Sequence, residues 1–176
     1  MGFVRALQEW REFYVLVGTA GATLVALLFV AISLGAGILT DKRAAATRTF
    51  YSPVVVHFTA AFFISAIGLF PAHRAAVFAA LIGACAAIGG AVSVFTTVQL
   101  LRHGWTRYVQ DHLAYGLLPA ISYAALLVAA AMIITENENE YALDVLAGAL
   151  LLLLIVNIRN AWDLTVSMVR HQSRRR

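Results

Sequence analysis

Residues 13–40 read FYVLVGTAGATLVALLFVAISLGAGILT, 28 consecutive positions without a charge between Glu12 and Asp41. A helix rises about 1.5 Å per residue, so this stretch outruns the roughly 30 Å hydrocarbon core of a bilayer. Two more stretches resemble it. Residues 75–101 give 27 uncharged positions, and residues 112–135 give 24 with His112 as the one side chain that titrates near neutral pH. Across the chain 61% of residues are hydrophobic and 12% charged, where a soluble domain carries about a quarter charged. Lipid is therefore the expected solvent. Backbone in lipid must satisfy its own hydrogen bonds, and uncharged runs this long predict helices.

The basic residues decide the number of crossings. Helices over 13–38, 53–70, 75–101, 112–135 and 141–165 leave Arg5, Arg11 and Arg74 on one side. Lys42, Arg43, Arg48, Arg102, Arg107, Arg159, Arg170, Arg174, Arg175 and Arg176 fall on the other. Lysine and arginine accumulate on the cytoplasmic flank. The expectation is an all-α, polytopic bundle of five transmembrane helices, one domain over 1–176, N-terminus outside and C-terminus cytoplasmic, in a bacterial inner membrane. A four-crossing alternative leaves five basic residues inside against eight outside, and loses.

The loops follow from that frame. Asp41 to Ser52 is expected as a cytoplasmic loop, with Pro53 opening the second helix, where a first turn tolerates proline. Pro71 to Arg74 makes a tight external turn. Glu136 to Glu140 carries three acids and no base, as an external loop should. The fifth helix has the shortest uncharged run, since only positions 145–158 separate Asp144 from Arg159. Either one of these reaches the headgroups or it sits in the core with a partner. Trp10, Tyr51, Trp105, Tyr141 and Trp162 fall at the ends of spans, where amphipathic rings prefer to lie. A cleavable signal peptide would carry an apolar region of about 7–15 residues behind a basic flank. The first run is longer, and Glu9 and Glu12 balance its flank.

Function is less constrained. Cys85 is the one cysteine, which excludes an internal disulfide or a dithiol pair. The basic charge is topogenic, so no nucleic-acid partner is expected. Ser93 follows Gly89 and Gly90 without a serine-elbow motif, and the H-E-x-x-H pattern of zinc proteases is absent. His57 and His112 share a predicted depth, as bis-histidine haem ligation would require, but no paired spacing accompanies them; no cofactor or metal is expected. Two features remain. A polar cluster at the cytoplasmic ends comprises His57, Asp111, His112, Tyr115, Asn157, Arg159, Asn160 and Asp163, with Gln99 and Thr96 nearby. Asp111 shares a face with Tyr115, as Arg159 does with Asp163, and Arg159 could equally pair with Asp111. The cluster reads either as a solvated anchoring layer or as a site. Small residues recur at four-residue spacing, Gly18, Ala22 and Ala26 in the first helix and Ala79, Gly83, Ala87 and Ala91 in the third. Such stripes serve close helix packing, within the bundle or against a second membrane protein. Pro119 should kink the fourth helix or free a carbonyl.

Trp10, Phe13, Tyr14, Gly18, Ala20 and Ala22, followed by Leu27-Leu28-Phe29-Val30-Ala31 and Ser33, resemble the opening of a family of small bacterial integral membrane proteins. That opening reads W-x-x-F-Y, then G-x-A-x-A, then G-L-L-F-V-A-x-S; Ala26 stands here where glycine is usual. The likeness runs from Trp10 to Ser33 and covers the first helix only. The family has no established biochemical function, and some members are labelled modulators of a membrane-bound ATP-dependent protease. The resemblance implies a bacterial membrane protein. The leading expectation is a non-enzymatic interaction or regulatory subunit working through its helix faces and basic cytoplasmic loops, with the bilayer and a homo-oligomer or larger membrane protein as partners. The alternative is a small oligomeric channel or transporter using the polar cluster.

Overall fold

The computed structural model describes residues 3–35, 41–70, 74–103, 113–135 and 141–173. Among them the regular structure is all helical. A short α1 (Phe3–Glu9) precedes five long elements: α2 (Arg11–Gly35), α3 (Asp41–Leu69), α4 (Ala75–His103), α5 and α6 (Tyr141–Ser173). α5 begins as a π-turn over Leu113–Leu117 and continues as α-helix over Leu118–Thr135. Among the described residues, four stretches are long and apolar enough to cross a membrane: Arg11–Ser33, Ala75–Arg102, Leu113–Thr135 and Tyr141–Val166. Pro53–Leu69 is apolar but shorter.

Three contacts fix the packing order. Tyr14, near the start of α2, lies against Gly68 at the end of α3. Phe3 of α1 meets Phe78 at the start of α4, ring centroids 5.3 Å apart. Tyr115, at the start of α5, bonds to Asn160 late in α6. Successive long helices therefore run antiparallel, as short connections dictate.

Two elements differ from the sequence expectation. Residues 41–52 are not a loop; they are the first turns of α3, and Pro53 lies inside the helix. The segment DKRAAATRTFYS contains three alanines and three basic residues, all good helix formers. The proline removes one backbone bond without ending the helix. The second difference is α1, where Leu7 turns inward and Arg5 and Glu9 pair across one turn at 3.9 Å on the exposed side. Phe3 and Leu7, four residues apart, share the face that docks on the bundle.

The end residues of α6 resolve its charge problem. Asp144 is exposed in the first turn. Arg159 is partly exposed and pairs with Asp163 at 3.5 Å. Neither sits in the core. Tyr141 and Trp162 are 73% and 69% exposed. The helix between them rises about 31 Å, close to the thickness of the hydrocarbon. Trp10 is half-buried against the bundle. Trp105 and the acidic segment 136–140 lie outside the described residues, as does the side chain of Tyr51.

Among the described residues, the interior has two apolar clusters. The larger centres on Tyr14, Ile64, Phe78, Ile82, Tyr123, Leu126, Leu146, Leu150 and Leu153. The smaller joins Leu28, Val54, Phe58, Leu100, Tyr115, Leu154 and Leu164 toward the other end. Glycines set how closely the helices approach. A Cβ on Gly68 would meet the Tyr14 ring at 2.8 Å, and one on Gly21 would meet the Phe58 carbonyl at 3.0 Å. Neither belongs to the expected small-residue stripes, which do not form continuous seams. Gly18 is buried against Ser65, whereas Ala22 and Ala26 face outward. Ala79 is buried, Gly83 half-buried, and Ala87 and Ala91 exposed. Each four-residue step turns the helix by about 40° beyond a full circle, so such a stripe leaves its contact within three steps.

Candidate functional site

The polar interior is assembled around the first turns of α5. Pro119 has no N–H to offer the carbonyl four residues earlier, and its ring crowds that carbonyl. The chain answers with the wider π-turn at Leu113–Leu117, a local form common at functional sites. In lipid, carbonyls displaced from regular pairing need other donors. Side chains from two neighbouring helices supply them. Asn160 of α6 donates through Nδ2 to the Ala114 carbonyl at 2.8 Å, and Ser93 of α4 donates to the Gly116 carbonyl at 3.0 Å.

Tyr115 closes this arrangement from the opposite direction. Its hydroxyl donates to the Asn160 carbonyl at 3.1 Å, so α5 and α6 exchange two hydrogen bonds at one level. Arg159 adds a 3.5 Å contact from Nη1 to the Asn160 side-chain oxygen while pairing with Asp163. Gly116 is needed for the same approach. A Cβ there would overlap Thr97, whose hydroxyl turns back to the Ser93 carbonyl at 2.9 Å. Four of the expected cluster residues, Tyr115, Arg159, Asn160 and Asp163, are thus gathered at one end of the bundle.

His57 belongs to a different group. It is 1% exposed, and its Nδ1 lies 2.8 Å from the hydroxyl of Tyr123. Tyr123 sits near the middle of the Leu113–Thr135 stretch, eight residues beyond Tyr115. The Tyr123 ring rests on Gly89 of α4, where a Cβ would occupy the ring's own position. Three helices therefore meet here: α3 supplies the imidazole, α5 the phenol and α4 the glycine floor.

Asn157 is also 1% exposed. Its Nδ2 donates to its own helix at the Leu153 carbonyl, 2.7 Å away. Four buried polar atoms have no hydrogen-bond partner among the described residues: His57 Nε2, Asn157 Oδ1, and the hydroxyls of Tyr14 and Ser65. Such groups are uncommon and costly. Asp111 and His112 lie outside the described residues, and with them the expected Asp111 pairings. Among the described residues, no three His, Cys, Asp or Glu side chains converge on a point that could hold a metal ion.

Sequence reasoning missed Tyr123, Gly89 and Gly116, and considered Ser93 only as a nucleophile. A signal existed for Tyr123: it is a hydroxyl-bearing ring in the middle of an uncharged run. The Gly89-Gly90 pair opposite it was the matching signal for a large side chain to rest upon. Compared with family models, with curated proteins and with solved structures, the chain matches none of them.

Proposed function

We propose that the chain is a five-crossing protein of a bacterial cytoplasmic membrane, N-terminus outside and C-terminus inside. In this reading it is a non-enzymatic interaction or regulatory subunit. The fifth crossing is α3. Its apolar part, Pro53–Leu69, lies at the lower limit of length for a span. Its antiparallel packing against α2 and the ten-to-three division of basic residues support it.

The observation that carries the subunit reading is the direction in which the polar and small residues face. Tyr115, Asn160 and Ser93 are engaged in bonds from helix to helix. The small residues Ala22, Ala26, Ala87 and Ala91 face outward, where a second membrane helix could approach closely. The protein would then act through its outer surface. The opening that resembles small bacterial membrane proteins fits the bacterial membrane assignment.

Mild-detergent purification after in-membrane cross-linking tests the proposal. A larger membrane protein joined through α2 or α4, with no solute flux in liposomes, is the expected result. Flux sensitive to His57→Ala with no partner would replace it with a channel or transporter, the reading favoured by the unpartnered His57 and Asn157 atoms.

A further inference from the structure

Among the described residues, His57 Nε2 on α3 and Asn157 Oδ1 on α6 are buried without a partner, and α3 and α6 pack against each other. Their chemistry is complementary. The Tyr123 hydroxyl is assigned as the donor to His57 Nδ1, because its proton has no other acceptor among the described residues and the reverse direction would leave that proton buried without a partner. That bond fixes the ring proton on Nε2. His57 therefore presents an N–H donor. Asn157, whose amide nitrogen already serves Leu153, presents an acceptor.

The two also share a depth. The Tyr115–Asn160 bond sets a common level for α5 and α6. From it, Asn157 lies about 4.5 Å further along α6 and Tyr123 about 12 Å further along α5. Side chains tilt toward the start of their own helix. The Tyr123 and Asn157 side chains therefore tilt toward each other along the bundle axis, which narrows the difference in depth between the imidazole bonded to Tyr123 and the Asn157 amide. On either side, Val54 and Phe58 of α3 fall in one apolar cluster with Leu154 of α6. His57 and Asn157, respectively next to Phe58 and three residues beyond Leu154 in sequence, are each 1% exposed. The other two unpartnered hydroxyls, on Tyr14 and Ser65, belong to the opposite end of the bundle, where α2 meets the last turns of α3.

We infer that His57 and Asn157 form a buried site for one small protic molecule, a water in the resting protein, linking α3 to α6. The molecule accepts from His57 Nε2–H and donates to Asn157 Oδ1. A second hydrogen and lone pair stay available to it, as buried waters usually make about three bonds. The site is the same whether the bundle acts as a subunit or as a transporter.

Solid-state NMR of 15N-histidine-labelled protein in hydrated bilayers tests this. The His57 signal is assigned by its loss in His57→Gln. Should that variant not fold, 13C-labelled tyrosine assigns it through the 2.8 Å contact with Tyr123. Expected are a protonated Nε2, an unprotonated Nδ1, and a magnetisation-transfer peak between water and Nε2–H. Asn157→Leu should remove that peak and leave the Nδ1 shift in place. A wild-type Nε2–H without transfer from water overturns the site, as does a proton on Nδ1. A peak undiminished in Asn157→Leu overturns the pairing of the two residues.

Discussion

Gly89→Ala adds a single methyl group to α4 and places it where the Tyr123 ring lies. The ring cannot share that space, so Tyr123 must shift or α4 and α5 must separate. Forcing an extra carbon into a packed interior costs about 1–3 kcal/mol. The shift also pulls the phenol from His57 and breaks the bond between them. Such a bond is worth about 0.6 kcal/mol and at most about 1.7 kcal/mol in membrane proteins. Together these give roughly 2–4 kcal/mol of destabilisation. Gly148→Ala provides the opposite sign. Nothing lies within 4 Å of its added Cβ, and removing a helical glycine stabilises by about 0.4–1 kcal/mol. Unfolding of both variants and wild type in bicelles, by steric trapping or denaturant titration, measures the differences. Gly89→Ala as stable as wild type would refute the stacking of Tyr123 on α4. Equal damage from Gly148→Ala would refute the distinction between packed and open glycines.

Other substitutions follow from the same contacts. Tyr123→Phe keeps the ring on Gly89 and removes the bond to His57, so it should cost about 0.6–1.7 kcal/mol in the same unfolding assay. Asn160→Ala removes the donor to Ala114 while Tyr115 keeps its acceptor, the Asn160 backbone carbonyl. A loss of similar size is expected, with faster amide exchange confined to the π-turn. Asp163→Asn should leave unfolding almost unchanged, because its pair with Arg159 is partly exposed and such pairs contribute little. Phe3→Ala combined with Leu7→Ala should undock α1, read as faster tryptic cleavage after Arg5 in otherwise folded protein.

Legibility of the fold followed the strength of each local signal. The uncharged run behind Phe13 needed no tertiary information, because its length and apolarity alone demand lipid. The Pro53 signal was misleading. Proline marks a helix start when little precedes it, and here Ala44, Ala45 and Ala46 carry the helix through from Asp41. Periodicity alone left open what the small-residue stripes pack against. Four-residue spacing finds residues on roughly one face, but whether that face meets a helix or lipid depends on neighbours that sequence does not order. Gly68 and Gly89 are the informative glycines because Tyr14 and Tyr123 stand over them, a tertiary fact. The pair Arg159 and Asp163 was readable because it lies within one turn of one helix. The bond between His57 and Tyr123 was not, since it joins two helices far apart in the chain.

The number of crossings governs which polar groups share a side, and fusions at the two termini measure it most directly. Fluorescent protein joined after Arg176 should fluoresce, while alkaline phosphatase at the same point stays inactive. An N-terminal periplasmic tag should be reachable in intact cells. Active phosphatase after Arg176 with the N-terminus still outside would mean an even number of crossings, with α3 not traversing the bilayer.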